Sequence, residues 1–162
     1  MHEDVEPDAA EAVEEEGVLI PEDEMTPDDA LAVLMSAKPV RATCTVEIEG
    51  REGMGKVQFT LRSLNDAEIK KIRTAAEIPL TKEQRRRGEE PELDDALYSR
   101  LIVVNGVQSP KLNTPELLSH HGVRNAEQLV AKLFLAGHIR LIFAEVMRVS
   151  GYSEDAVRVV GE

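Results

Sequence analysis

The stretch "VRATCTVEIEGREGMGKVQFTLRSL", residues 40–64, decides between an all-helical chain and a mixed one. Val46 and Ile48 alternate with Thr45, Glu47 and Glu49, and Val57, Phe59 and Leu61 alternate with Gln58, Thr60 and Arg62. A period of two sends successive side chains to opposite faces, so each run reads as a strand with one apolar face. Between them "GREGMG" supplies three glycines for a turn. The reading is a β-hairpin over residues 40–62. Two strands alone are unstable in water, so this apolar face has to sit on helices or join another sheet.

The flanking sequence supplies the helices. Upstream, "PDDALAVLMSAKP" has Thr26 as N-cap and Pro27 at the first helical position, enough for two to three turns ending before Pro39. Alone such a helix is marginal. Downstream, Asn65 followed by Glu68 makes a capping-box pattern that opens a helix over 66–77, with Leu64, Ile69, Ile72 and Ala76 near one face and Pro79 as its stop. "PLTKEQRRRGEEPELDD" is the most polar interior stretch and reads as a solvated loop, its Arg85, Arg86 and Arg87 neutralised by Glu89, Glu90 and Glu92. Three arginines without an aromatic partner are a poor nucleic-acid footprint.

Helices are then expected at 94–104, 115–121, 126–135 and 138–150. In the first, Leu97, Leu101, Ile102 and Val104 face the core and Asn105-Gly106 is the stop signal. Thr114 and Pro115 start the second and Gly122 closes it, while Asn125 caps the third. Gly137 separates the last two helices or bends one long one, and Ile139, Ile142, Val146 and Val149 form a single stripe. The expected class is mainly α with an N-terminal β-hairpin, an α+β fold, in one small domain over 28–162.

Charge sets the first segment apart. Residues 1–29 hold 13 acids and no Lys or Arg, whereas the rest of the chain has 19 bases and 18 acids. The net charge of −12 is therefore a property of the leader. Such a segment buries too little apolar surface to offset its ordering entropy, so residues 1–27 are expected to be a disordered acidic leader that would repel phosphate. No secretory signal pattern opens the chain, and its apolar runs are broken by His138, Arg140 and Glu145 well short of the roughly 20 residues that cross a bilayer. Cys44 is the only cysteine, so no internal disulfide forms. The expectation is a soluble intracellular protein with neither nucleic acid nor membrane as partner.

Catalytic and metal chemistry find little support in the sequence. His120 and His121 are neighbours, about 100° apart on a helix, and His138 lies beyond a further helix with no carboxylate or Cys at ligand spacing. Their place at the end of a short helix suits the helix dipole. There is no GxSxG, HExxH, Walker loop or GxGxxG, and "GREGMGK" joins two strand patterns instead of leading into a helix. No catalytic residue, cofactor or metal is assigned. An aliphatic body with 3% aromatics and an acidic arm describes a binding or chaperone module better than a catalyst.

The run from Val57 to Tyr152 resembles the XkdN-like phage tail assembly chaperones. The opening "VQFTLRSLNDAEIKKIR" matches that family's strand and acid-rich helix start. "LYSRLIVVNGVQSPKLNTPELLSHHGVRNAEQLVAKLFLAGHIRLIFAEVMRVSGY" follows its order of helix, "PEL" segment, "GV" turn, "EQLV" helix, "L-x-x-G" and a helix ending in "SGY". The chain departs at His121, where an aromatic is expected before Gly122, and at Ala136-Gly137, where Pro-Gly is common. The resemblance implies a protein that binds and solubilises the tape measure protein, helps recruit tail tube subunits in the host cytoplasm, and is absent from the mature virion. Their helical spacing and the excess of aliphatics over aromatics make Leu129, Leu133, Ile139, Ile142 and Val146 the candidate residues for partner binding and for any self-association. The alternatives are a structural tail or connector protein of the virion, and a regulatory binding protein acting through its acidic arm.

Overall fold

The computed structural model describes residues 25–38, 41–49, 55–154 and 157. Most of the expected acidic leader and of the hairpin turn therefore lies outside the described residues. The chain divides into two units, Met1–Pro39 and Val40–Glu162. The first contributes helix α1, Pro27–Ser36, opened by the expected Thr26 cap with Pro27 in the first turn.

In the second unit β1 (Thr43–Glu49) and β2 (Lys56–Arg62) pair antiparallel in the register Thr43↔Arg62 to Glu49↔Lys56. The expected alternation is present: Ile48, Phe59 and Leu61 are buried, and Val46 and Val57 pack against the same core. A third strand, β3 (Val107–Ser109), runs antiparallel along the other side of β2, with a bulge opposite Thr60 and Leu61. No third strand was expected from the sequence, because three residues directly after a helix carry no readable alternation. The strand order β1-β2-β3 leaves β1 at an edge, with Thr43, Thr45, Glu47 and Glu49 outward. Outward charge discourages unwanted strand addition.

Helix α2 (Asp66–Ala75) starts at Asn65 as expected and ends two residues short of the expected 77. Glu77 pairs instead with Leu93 in an isolated bridge, backed by Ile78 N–H donating to Glu92 O at 2.8 Å and Asp94 N–H to Ala76 O at 2.9 Å. The excursion between those anchors is not all loop. It contains a short helix α3 (Lys82–Arg86), capped reciprocally by Thr81 and Gln84.

Helix α4 (Asp95–Gly106) is capped by Asp94, whose carboxylate accepts from Leu97 N–H. Its stop differs from the expected one at 104, since Asn105-Gly106 is helical. Packing explains Gly106. A Cβ there would lie 2.7 Å from Cγ1 of Val146, so only glycine lets the helix run this close to its neighbour. Helix α5 (Pro115–His120) has Thr114 at its N-cap as expected, without a hydrogen bond from that side chain, and closes on Gly122 at φ +64°. Helix α6 (Ala126–Leu133) is capped by Asn125, and α7 (Ala136–Val149) follows. The break between these two falls at Phe134 and Leu135, not at Gly137, which sits inside the first turn of α7. Phe134 is buried, with its ring centroid 5.6 Å from that of Phe59, so the break is pinned by packing on the sheet.

The core lies between the sheet and the helices. Leu61, Ile102, Val103, Leu129, Val130 and Val146 are its most enclosed large side chains. Val103 was not among the residues expected to face the core. Glu68 ties one end of this layer together. Its carboxylate accepts from Arg41 Nη1 and Nη2 at 3.1 and 2.8 Å, from Arg62 Nη1 at 3.1 Å and from Asn65 N–H at 2.9 Å. Desolvation pushes its pKa up, but the Asn65 N–H and Arg41 outweigh it and the carboxyl is held below its usual value.

Two stability measurements follow. A carboxyl with a lowered folded-state pKa stabilises above its unfolded pKa, near 4.3, and loses that contribution as pH falls through the folded value. Glu68→Gln should therefore cost about 1–2 kcal/mol at pH 7 in urea melts, and the gap to wild type should narrow below about pH 4. A gap that stays constant down to pH 3 would contradict this account. Gly106→Ala should destabilise by about 1–3 kcal/mol although Ala is the better helix former, and Val146→Ala in the same chain should recover part of that loss. A neutral or stabilising Gly106→Ala would show that α7 gives way freely.

Candidate partner-binding surface

The five C-terminal aliphatics have unequal positions. Leu129 and Val146 have no exposed surface, and Ile142 is 2% exposed, so these three are occupied by the protein's own core. Leu133 and Ile139 are half-buried and pack against it. Helical spacing identifies residues that share a face, but a face turned to the core and one turned to a partner carry the same spacing.

Two grooves run along opposite flanks of α7. One lies between the N-terminal halves of α4 and α7, with a volume of about 550 Å³. Ala96, Ala136 and Ala144 leave the space, Ile139 and Phe143 line it, and Arg100 and Arg140 add positive charge. Arg100 is paired with Glu127 of α6. Phe143 rests edge-on against Tyr98 of α4, with centroids 6.0 Å apart, and burial raises the Tyr98 pKa. The other groove lies between β1 and α7 and measures about 390 Å³. Val46 and Leu141 form its apolar side over the buried Ile48 and Ile142, and Glu47, Glu49 and Glu145 its acidic border. Glu145 is joined to Arg148 at 2.9 Å, which raises the Arg148 pKa.

Leu141 stands beside this second groove with 67% of its surface in water. It was missed from the sequence because it falls off the Ile139–Ile142–Val146 stripe. That offset was itself the signal: an apolar residue outside the buried stripe has no core to join. Leu135 is also exposed.

The histidines have local roles. His138 Nδ1 accepts from Leu135 N–H at 3.4 Å, reaching back over the start of α7. His121 is the C-cap residue of α5, and its carbonyl accepts from Lys132 Nζ at 2.6 Å. Among the described residues no three His, Cys, Asp or Glu side chains are placed to hold a metal ion, and no helix is long and apolar enough to cross a membrane.

The family described as phage XkdN-like tail assembly chaperone protein matches residues 31–162. The chain belongs to that family. This tail assembly chaperone thus has a non-enzymatic family role, and the match begins inside α1, after all 13 acids of residues 1–29. The solved structure of a protein named YqbN is 14% identical, with a TM-score of 0.49 over 75% of this chain and 96% of the other. No curated protein matches the chaperone.

The two sides of α7 should respond differently to charge. Leu141→Asp keeps its carboxylate in water and should change stability by no more than about 1 kcal/mol. Val146→Asp buries an unpaired charge and should unfold the chaperone. Circular dichroism with urea melts checks both, and equal losses would mean that Leu141 is also core.

Proposed function

We propose that this chaperone holds the tape measure protein of its phage in solution and helps recruit tail tube subunits, with apolar helical faces of the tape measure protein seated between β1 and α7. Membership in the tail assembly chaperone family carries the reading. The groove supports it chemically. An amphipathic helix docks through side chains three and four residues apart laid into an apolar cleft, and Leu141 beside Val46 and Ile48 offers such a surface. Aliphatic walls suit many related heptad faces without demanding one sequence. Glu47, Glu49 and Glu145 favour a client whose apolar stripe is flanked by Lys or Arg. On this reading the chaperone works in the host cytoplasm and leaves as the tube polymerises.

Co-expression with the tape measure protein of the same phage tests it. Wild type should carry the tape measure protein into the soluble fraction, and Leu141→Asp, still folded, should lower that fraction several-fold. Equal insolubility with and without wild type would sink the proposal. Full holding by Leu141→Asp would remove the groove and leave the holding function. Stoichiometric chaperone in purified particles would make it a structural tail protein instead.

A further inference from the structure

The groove between α4 and α7 takes no part in the client contact beside β1, and its walls have a different make-up. Both are rows of helical side chains. Ala96, Ser99 and Arg100 stand three and four apart on α4, and Ile139, Arg140, Phe143 and Ala144 continue the same spacing from Ala136 along α7. The row on α7 covers just over two turns, about 12 Å of rise. A trough between two helix ridges is the shape that a third helix fills. Neither wall is a sheet edge, so an incoming strand finds no ladder to pair with.

Small side chains open the space. Ala96, Ala136 and Ala144 are exposed, and Ile139 and Phe143 are half-buried, so larger aliphatic side chains have both room and an apolar surface to meet. No carboxylate lines the groove. Its two charges are arginines. Arg100 is held by Glu127 of α6, whereas Arg140 is exposed and has no ion pair among the described residues. An unpaired cation on the rim of an apolar trough favours an occupant that brings a carboxylate and disfavours one that brings another cation.

We propose that the α4–α7 groove is a second docking site, taking an amphipathic helix of a partner protein whose apolar stripe is flanked by Asp or Glu. The stripe lies over the three alanines against Ile139 and Phe143, and a flanking carboxylate pairs with Arg140. On the reading that the chaperone holds other proteins' helices, on which this site rests, α7 then carries a base-flanked helix on one side and an acid-flanked helix on the other. Helices with such opposite flanks are the ones that charge would otherwise pair with each other in a coiled coil. Holding one on each side of α7 keeps them apart.

Two synthetic peptides of about 20 residues, long enough to form a helix on a surface, test the site. Both carry the same Leu stripe. One has Glu on both flanks and the other Lys, so that like charges keep each from pairing with itself. Each is labelled and followed by fluorescence anisotropy during titration with the full-length chain. The Glu-flanked peptide should bind wild type, although the net charge of −12 repels it overall, so that binding marks a local site. Arg140→Glu and Ala144→Trp, each with an unchanged circular dichroism spectrum, should weaken that binding about tenfold or more. Lys111→Glu makes the same change in net charge at an exposed position beyond the C-terminal end of α4 and should leave it unchanged. If Ala144→Trp disturbs the fold, Arg140→Glu decides alone. Absence of binding to wild type overturns the proposal. So does binding that Arg140→Glu leaves intact, or that Lys111→Glu weakens as much. The two grooves fail separately: a chain that binds the Glu-flanked peptide through Arg140 and ignores the Lys-flanked one keeps this site and loses the groove beside β1, and the reverse result keeps that groove and overturns this site.

Discussion

Helix α4 lies against α7 only because Gly106 has no side chain, and most of the second unit leans on that contact. Helices α2 and α6 pack on α4, β3 continues directly from its last residue, and β1 and β2 meet α7. A glycine inside a helix costs about 1 kcal/mol relative to alanine. Its use at this position makes sense as steric clearance: Val146 fills the space that a Cβ would take, and is fully enclosed. Moving the two helices apart would open Val146, Ile102 and Val103 together, since all three belong to one cluster.

The sheet adds the second layer and depends on the helices for its own stability. Its central strand β2 has Phe59 and Leu61 buried in the core, and Phe59 meets Phe134 where α6 gives way to α7. One aromatic contact thus fixes both a strand face and a chain reversal. At the far end, Glu68 collects Arg41, Arg62 and the start of α2 around one carboxylate. The cap of a helix and the ends of two strands are then a single electrostatic unit.

What was legible in the sequence follows the range of each interaction. The β1–β2 pairing, the Asn65–Glu68 capping box and the Thr26–Pro27 helix start depend on residues close together, and the alternation or cap residues announce them. The Thr81–Gln84 capping box was equally local, yet the charge of the Arg85–Arg87 run outweighed it and the segment read as loop. Gly106 misled for the opposite reason. Asn-Gly is a stop signal in isolation, and only Val146, forty residues on, shows why the glycine belongs to the helix. The candidate surface suffered most. Periodicity gathered Ile139, Ile142 and Val146 on one stripe, but which side of α7 meets the core is decided by α4 and the sheet. The exposed Leu141 and the two grooves follow from that tertiary choice.

The two flanks of α7 share their aliphatic character and differ in charge. Beside β1 the border is Glu49 together with Glu47 and Glu145, which are paired with Lys56 and Arg148, and beside α4 it is Arg140 together with Arg100, which is paired with Glu127. Apolar contact alone discriminates weakly between helices, because one methylene more or less changes little. A like charge brought to the border of a partly desolvated cleft is rejected more strongly. A helix whose apolar stripe is flanked by Asp or Glu is therefore disfavoured beside β1 and favoured beside α4. A helix flanked by Lys or Arg is sorted the other way. One helix with two unlike borders can then engage two kinds of apolar partner without either competing for the other's groove.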